Sequence, residues 1–202
     1  TTLINLLMRF YDIQDGCICV DGNNVSGITR KSLRKSYAMV LQDTWLFQGS
    51  IYDNLAYGSL GGMEQGMEEE KVREAAKAAG IDGFIRRLPQ GYDTILTDEG
   101  TNISKGQKQL LTIARAMLLP ARMLILDEAT SAMDNVTEEL VMNEVLSLAA
   151  GKNIIAIAHR LNSIRAFDRI ILLKNGNIEG DGSFQELMQH NLYFQELYKA
   201  GI

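Results

Sequence analysis

Apolar and polar residues alternate along the chain with spacings that identify helices and strands. The clearest stretch begins at Ser104, whose hydroxyl is suited to accept hydrogen bonds at the start of a helix. Apolar residues then recur every three or four positions over 110–118, which predicts a helix with one apolar face, and Pro120 ends it. The next run, 123–126, is apolar throughout, which favours a strand buried on both faces of a parallel sheet.

The same criteria predict elements before and after this stretch. An apolar helix starts at the two threonines that open the chain, and further helices are predicted at 28–35, 67–79, 82–88 and 137–148. Strands are predicted at 16–22, 37–41, 153–158 and 168–173. An Asp-Gly turn ends the first of these strands, and the turn Asn175-Gly176 follows the last. Ser183 and Glu186 form a capping box that opens the terminal helices.

The composition is that of a soluble globular domain. The chain has 202 residues, 46% apolar and 22% charged, which is enough to bury a core as one domain. Its net charge of −5 argues against a general nucleic-acid-binding protein. Arg115, Pro120 and Arg122 interrupt the longest apolar stretch, so no membrane-spanning helix is predicted.

Cys17 and Cys19 are the only cysteines, and they alternate on one face of a predicted strand. Free cysteine behaves as a small hydrophobic residue, so we expect both side chains to be buried in a protein of a reducing cytosol. A disulfide or a metal site is the alternative.

Two adjacent carboxylates, Asp127 and Glu128, end the apolar strand. Ligands of open α/β sheets bind at the carboxyl ends of the strands. An Asp at this position is suited to hold Mg²⁺ beside a nucleotide, and a neighbouring Glu is suited to polarise water. The alternative is that the two residues only end the strand and begin a loop.

Three motifs occur around these carboxylates: ISKGQ at 103–107, MLILDE at 123–128 and SAMD at 131–134. In that order, they resemble the signature, the Walker B motif and the D-loop of the ATP-binding cassette (ABC) ATPases. The signature departs from the family's LSGGQ at Ile103 and Lys105. Its phosphate-facing positions, Ser104 and Gly106, are kept, so the resemblance implies a functional signature.

The segment 37–58 resembles the Q-loop region of ABC exporters in particular, and LPQGYDT at 88–94 is again similar to exporter cassettes. The resemblance assigns Gln42 to Mg²⁺ and the attacking water. It also implies that the segment from Asp43 to Asn54 docks against a membrane domain. The apolar residues of this segment include Trp45, Leu46, Phe47 and Ile51. They suit a groove for a partner helix, and packing in the core is the alternative.

Thr1 and Thr2 match the last two residues of the family's phosphate loop, Gly-Lys-[Ser/Thr]-Thr. The resemblance therefore implies that the glycine-rich loop, its lysine and the preceding strands are missing. That loop supplies backbone N–H groups and an ammonium to the phosphates. We therefore expect the chain in isolation not to hydrolyse ATP.

His159 follows the predicted strand 153–158. A single histidine is often structural, which is the alternative here. At this position it matches the family's switch histidine, which implies that it stabilises the γ-phosphate electrostatically.

The resemblance implies an α/β fold: a P-loop NTPase (RecA-like) parallel-sheet core, residues 1–51 and 120–202, with an inserted helical signature subdomain, 52–119. The function implied is that of the ATP-binding domain of an ABC exporter of the multidrug or peptide type. Its expected cofactors are ATP and Mg²⁺. Its expected partners are a second ATPase domain, identical or not, and a transmembrane domain that holds it at the cytoplasmic face of the membrane. Nucleic acid is not an expected partner.

Within one domain, the resemblance implies that Thr1, Gln42 and Asp127 bind Mg²⁺. It also implies that Thr1 and Thr2 contact the phosphates of ATP. Glu128 would be the general base on water, with His159 beside it.

Between two domains, Ser104, Gly106 and Gln107 would clasp the ATP of the partner, and Asp134 would couple the two sites. Closure of this sandwich would drive the membrane domains between their inward- and outward-facing states.

Two other functions are compatible with parts of the sequence. One is a non-enzymatic lobe whose signature completes the site of a partner. The other is a non-transport ABC ATPase acting on DNA or ribosomes. The exporter-like segments and the acidic balance count against the second.

Overall fold

The computed structural model describes residues 2–41, 44–57, 69–97, 102–127, 135–148, 151–158 and 160–200. Within these ranges the chain forms a parallel sheet with helices on both faces, together with three short antiparallel pairs of strands. This arrangement confirms the predicted α/β fold.

The parallel sheet consists of β3 (Tyr37–Val40), β6 (Met123–Asp127) and β7 (Asn153–Ile157), in the order β3-β6-β7. Val40 is opposite Leu126, and Asp127 is opposite Ile157. Because the strands are parallel and in register, their carboxyl ends lie at the same edge of the sheet.

Strand β6 is buried on both faces, as its continuous apolar sequence predicts. Leu124 and Leu126 pack into one hydrophobic cluster with helices of the segment 51–118, and Ile125 packs into a second cluster with Ile4 and Leu33. Side chains of successive residues in a strand point to opposite faces, so the two clusters lie on opposite sides of the sheet.

Strand β7 differs from its prediction as a buried strand. Its residues are exposed or half-buried. The physical reason is incomplete cover by the described residues: Ile154 and Ala156 pack only partly against one hydrophobic cluster, and Ile155 and Ile157 only partly against the other.

The helices have the following bounds: α1 (Thr2–Leu7), α2 (Arg30–Lys35), α3 (Ile51–Ala56), α4 (Glu69–Ala78), α5 (Asp82–Ile85), α6 (Lys105–Leu118), α7 (Asn135–Leu148), α8 (Phe184–His190) and α9 (Leu192–Lys199). The antiparallel pairs are β1 (Cys19–Val20) with β2 (Asn23–Asn24), β4 (Gly49–Ser50) with β5 (Ile95–Leu96), and β8 (Ile170–Lys174) with β9 (Asn177–Gly182). None of the helices in the described ranges is both long and apolar enough to cross a membrane.

Helix α6 begins and ends where the sequence predicts. Ser104 is its N-cap, and Pro120 lies just beyond its last residue. Leu111 and Ala114 of the predicted apolar face are fully buried against α3, α4 and β3. This helix therefore joins the helical segment to the parallel sheet.

Both predicted hairpin turns are present. Asp21 and Gly22 connect β1 to β2 with φ angles of 49° and 76°, and Asn175 and Gly176 connect β8 to β9 with 51° and 79°. Two successive positive φ angles match the right-handed twist of the flanking strands, and Asp-Gly and Asn-Gly tolerate them best.

The prediction that Cys17 and Cys19 are buried is wrong. Both thiols are exposed, and the alternating Ile18 and Val20 pack against the core. The predicted alternation of side chains between two faces is correct, but the buried face is that of Ile18 and Val20. The branched aliphatic side chains remove more apolar area from water than a thiol does, so they occupy the core face.

Replacement of Leu124 in β6 tests this packing. The side chain is 2% exposed, so Leu124→Ala leaves a cavity between strand and helices, and we expect it to lower the free energy of unfolding by about 2–5 kcal/mol. The matched control is Leu192→Ala, where the same atoms are lost from a side chain that is 76% exposed, with an expected change within about 0.5 kcal/mol. Urea unfolding of both variants measures the difference, and equal losses would contradict the placement of β6.

Candidate functional site

The carboxyl edge of the parallel sheet carries Asp127, the last residue of β6. Its side chain lies on the central strand of the three and is 2% exposed. Removing a carboxylate from water costs several kcal/mol unless cations or hydrogen-bond donors offset the loss. A buried carboxylate at the carboxyl edge of a parallel sheet is a position suited to bind a cation.

Leu41 follows β3, and Ala158 follows β7, at the same edge. The next residues along the chain, Gln42 and His159, lie outside the described residues, as do Thr1, Glu128 and Asp134. Their predicted roles remain predictions. Thr2, Ser104, Gly106, Gln107 and Asp127 are the predicted site residues that the structure describes.

The donor type of Asp127 fits Mg²⁺, which prefers carboxylate oxygens and water. In the described part of the chain, no cluster of three or more His, Cys, Asp or Glu side chains could hold a metal ion. Mg²⁺ at Asp127 would therefore need further ligands from the phosphates, from water or from residues outside the described ranges.

The signature turn is a complete capping box at the start of α6. Ser104 Oγ accepts a hydrogen bond from the Gln107 N–H at 3.2 Å, and Gln107 Oε1 accepts one from the Ser104 N–H at 2.9 Å. Both side chains use acceptor atoms in this box. The hydroxyl hydrogen of Ser104 and the amide hydrogens of Gln107 remain able to donate to an anion.

The charge at this helix start is also favourable for an anion. The first turn of α6 contains no acidic residue and begins with Lys105, whereas α3, α4 and α8 carry Asp or Glu in their first turns. Negative charge is stabilised at a helix N-terminus. At α6, unlike at those three helices, the protein does not supply that charge from within the first turn.

The predicted docking segment divides into two parts. Leu46 and Ile51 are fully buried in the core, whereas Trp45 is 56% exposed and Phe47 is half-buried. Packing in the core is therefore correct for Leu46 and Ile51, and a groove for a partner helix at Trp45 and Phe47 stays a prediction. Trp45, Phe47 and the exposed Tyr57 are in contact, with ring centroids 5.2–6.3 Å apart. We call these three residues the aromatic cluster.

Two features of this region are absent from the sequence predictions. Arg160, the residue after His159, donates to Glu138 on α7 at 2.6 Å, and Glu138 is buried. This ion pair fixes the start of the segment that follows His159. The guanidinium of Arg115, on α6, lies over the Phe47 and Tyr57 rings of the aromatic cluster. Neither pairing has a sequence signal, because the partners are 22 and about 60 residues apart.

A helix-covered parallel sheet with a buried carboxylate at its carboxyl edge is an arrangement that nucleotide-binding α/β domains share. Comparison with known families identifies the class more closely. The family model described as ABC transporter matches residues 1–131. The chain belongs to the ABC transporter family, as its motifs suggested.

Relatives extend the similarity over almost the whole chain. An uncharacterized ABC transporter ATP-binding protein of Bacillus subtilis, YfiC, is 48% identical over 200 residues, which are 99% of this chain and 32% of that protein. A fatty acid ABC transporter ATP-binding/permease protein of Mycobacterium bovis is 44% identical over 196 residues, 96% of this chain and 30% of that protein. The chain thus spans about a third of the length of these relatives.

A solved structure agrees with the fold. The structure of a bacterial Atm1-family ABC exporter with ATP bound has a TM-score of 0.90 and 38% sequence identity to this chain. The match covers 98% of this chain and 34% of the exporter chain. The fold is therefore that of the P-loop NTPase domain of an ABC exporter.

The capping box of α6 is testable against a second box in the same chain. Ser183 and Glu186 cap α8 with the same pair of hydrogen bonds as Ser104 and Gln107. Because each alanine variant leaves the helix N–H without its acceptor, we expect Ser104→Ala and Ser183→Ala each to lower the free energy of unfolding by about 1 kcal/mol. Ser104→Asp, which keeps an acceptor, is expected to stay near wild type. Denaturant unfolding measures all three, and a neutral Ser104→Ala would contradict the cap.

Proposed function

We propose that this chain is the ATP-binding and ATP-hydrolysing domain of an ABC exporter, in which ATP hydrolysis drives export across a membrane. The observation that carries the proposal is the buried carboxylate of Asp127 at the carboxyl edge of the sheet. The fold in which it lies matches that of an exporter with ATP bound, with a TM-score of 0.90. Relatives named as transporters favour this function over an ABC ATPase that acts on DNA or ribosomes.

Asp127 would bind Mg²⁺ together with Thr1 and Gln42, and Thr2 would contact the phosphates. Mg²⁺ bound there would neutralise charge on the β- and γ-phosphates. Glu128 would act as general base on the attacking water, because it follows Asp127 directly at the edge where the nucleotide binds. His159 would stabilise the γ-phosphate, and the Arg160–Glu138 ion pair supports this role by holding the adjacent residue.

The signature would act on the ATP of a second ATPase domain. Its geometry favours this role, because the capping box leaves the donors of Ser104 and Gln107 available at a helix start that lacks an acidic residue. Gly106 adds no side chain between the ligand and the helix start. Asp134 would link the two sites. We propose the same pairing for an identical or a different second domain.

In this proposal residues 1–51 and 120–202 form the nucleotide-binding core, and 52–119 form the signature subdomain. The segment from Asp43 to Asn54 would dock against the transmembrane part of the exporter, at the cytoplasmic face of the membrane. The exposed aromatic cluster supports this surface, because large exposed aromatic side chains are enriched where proteins bind one another.

The general base is tested in the whole protein that carries this chain. Glu128→Gln keeps size and polarity but cannot take a proton, so we expect ATP hydrolysis to fall about 10²–10⁴-fold while ATP binding persists. Glu139→Gln, an exposed position on α7, is the matched control and is expected to hydrolyse ATP at the wild-type rate. Phosphate release and nucleotide binding measure the two effects. A Glu128→Gln variant as fast as wild type would exclude this residue as the base.

Comparison of alanine variants at Ser104 and Ser183 distinguishes a nucleotide contact of the signature from the effect of losing a helix cap. Both alanine variants lose the same cap, but only Ser104→Ala removes a donor to phosphate. A hydrogen bond to a charged group contributes about 1.5–3 kcal/mol, so we expect kcat/KM for ATP to fall about 10- to 100-fold in Ser104→Ala and to stay near wild type in Ser183→Ala. Equal effects of the two variants on hydrolysis would argue against a nucleotide contact at Ser104.

A further inference from the structure

Arg115 lies on α6 beneath the exposed aromatic cluster, three turns from the signature at the start of the same helix. Its guanidinium donates to Asn54 O at 2.6 Å, to Trp45 O at 2.9 Å and to Asn54 Oδ1 at 2.8 Å. One side chain of α6 therefore binds the segment that carries the cluster at two places, Trp45 and Asn54.

The same guanidinium lies near two rings of the cluster. Its central carbon is 5.7 Å from the Tyr57 centroid and 6.0 Å from the Phe47 centroid. A cation at such a distance is attracted to the negative face of an aromatic ring. Trp45 is held through its backbone carbonyl and through contacts of its ring with the other two.

Asn54 completes the network from within the core. Its side chain is 1% exposed, and its Oδ1 accepts from the Phe47 N–H at 3.1 Å as well as from Arg115. Its Nδ2 donates to Phe47 O at 2.9 Å and to Ser50 O at 3.1 Å. Every polar atom of this amide is therefore used to fix the loop on which Phe47 lies.

The cost of placing Arg115 here indicates a specific role. Burial lowers the pKa of its guanidinium to about 10, and within the described residues its partners are carbonyl oxygens and rings rather than a carboxylate. A partly buried cation that gains no ion pair from the described residues contributes little to stability by its charge. Its fork of donors, which matches three acceptors at once, is what lysine lacks.

We infer that Arg115 is a positioning residue of the docking surface: it holds the aromatic cluster in one arrangement and joins it rigidly to the helix that begins with the signature. The effect on ATP turnover rests on the proposed function, whereas the contacts of Arg115 with the cluster do not depend on it. With Arg115 in place, a displacement of α6 at the nucleotide moves the docking surface with it. Without Arg115, the packing of α3 and the hydrogen bonds of Asn54 still hold the segment, but we expect the aromatic rings to move more freely relative to α6.

Trp45 is the only tryptophan of the chain, so its fluorescence reports this surface directly. In Arg115→Gln we expect the amplitude of the nanosecond component of the Trp45 anisotropy decay to rise at least about twofold. Arg115→Lys keeps the positive charge but not the forked set of donors. We expect its nanosecond amplitude to lie between those of Arg115→Gln and the wild-type protein. The control is Arg73→Gln on α4, which removes a cation 5.1 Å from the Tyr92 ring and should leave Trp45 unchanged.

Urea unfolding of the same variants, followed by circular dichroism, shows whether the fold is kept. If Arg115→Gln does not fold, Arg115→Lys alone decides the result. Unchanged Trp45 dynamics in folded Arg115 variants would overturn the inference, as would an equal change in Arg73→Gln.

A kinetic measurement on the whole protein tests the consequence, with ATP as the probe. Closure between domains often limits kcat. We therefore expect Arg115→Gln to lower kcat for ATP about tenfold and to leave KM within about twofold. A raised KM with unchanged kcat would overturn the coupling between the docking surface and the signature end of α6. If the wild-type protein does not hydrolyse ATP, the proposed function fails, whereas the Trp45 measurement still decides whether Arg115 positions the cluster.

Discussion

The burial of β6 on both faces is the constraint on which the rest of the structure depends. Two hydrophobic clusters, one on each side of the sheet, meet across Leu124, Ile125 and Leu126. Because the strand is fixed from both sides and paired on both edges, the position of its last residue is fixed as well. Asp127 is buried at the edge of the sheet for this reason, at the cost of desolvating its carboxylate. A site built at the end of such a strand is rigid before any ligand binds.

Helix α6 is the second rigid element, and it connects three regions of different character. Its start is the polar signature turn, its middle is packed against the sheet and against α3 and α4, and Arg115 reaches the exposed aromatic cluster. An α-helix rises 1.5 Å per residue and changes length little, so a displacement at one end is transmitted to the other. In the proposed exporter, this property links the clasp on ATP to the surface that faces the membrane domain.

Much of this fold is predictable from sequence because local patterns determine it. The apolar run of β6, the cap and stop of α6 and the Asp-Gly and Asn-Gly turns are each specified by a few adjacent residues. The wrong predictions concern choices made over longer distances. Which face of the Cys17–Cys19 stretch is buried, and how far β7 is covered, depend on neighbours that periodicity does not name. The contacts of Arg115 with Asn54 and of Arg160 with Glu138 join residues distant in sequence, and no motif marks them.

A structure of the whole protein with Mg²⁺ and ATP, determined for a variant that does not hydrolyse the nucleotide, tests the central claim most directly. The claim predicts the phosphates at the carboxyl edge of β3, β6 and β7, with the metal ion at the carboxylate of Asp127. It also predicts that the signature of a second domain lies on the γ-phosphate. A nucleotide bound elsewhere, with Asp127 remote from the metal ion, would contradict the account.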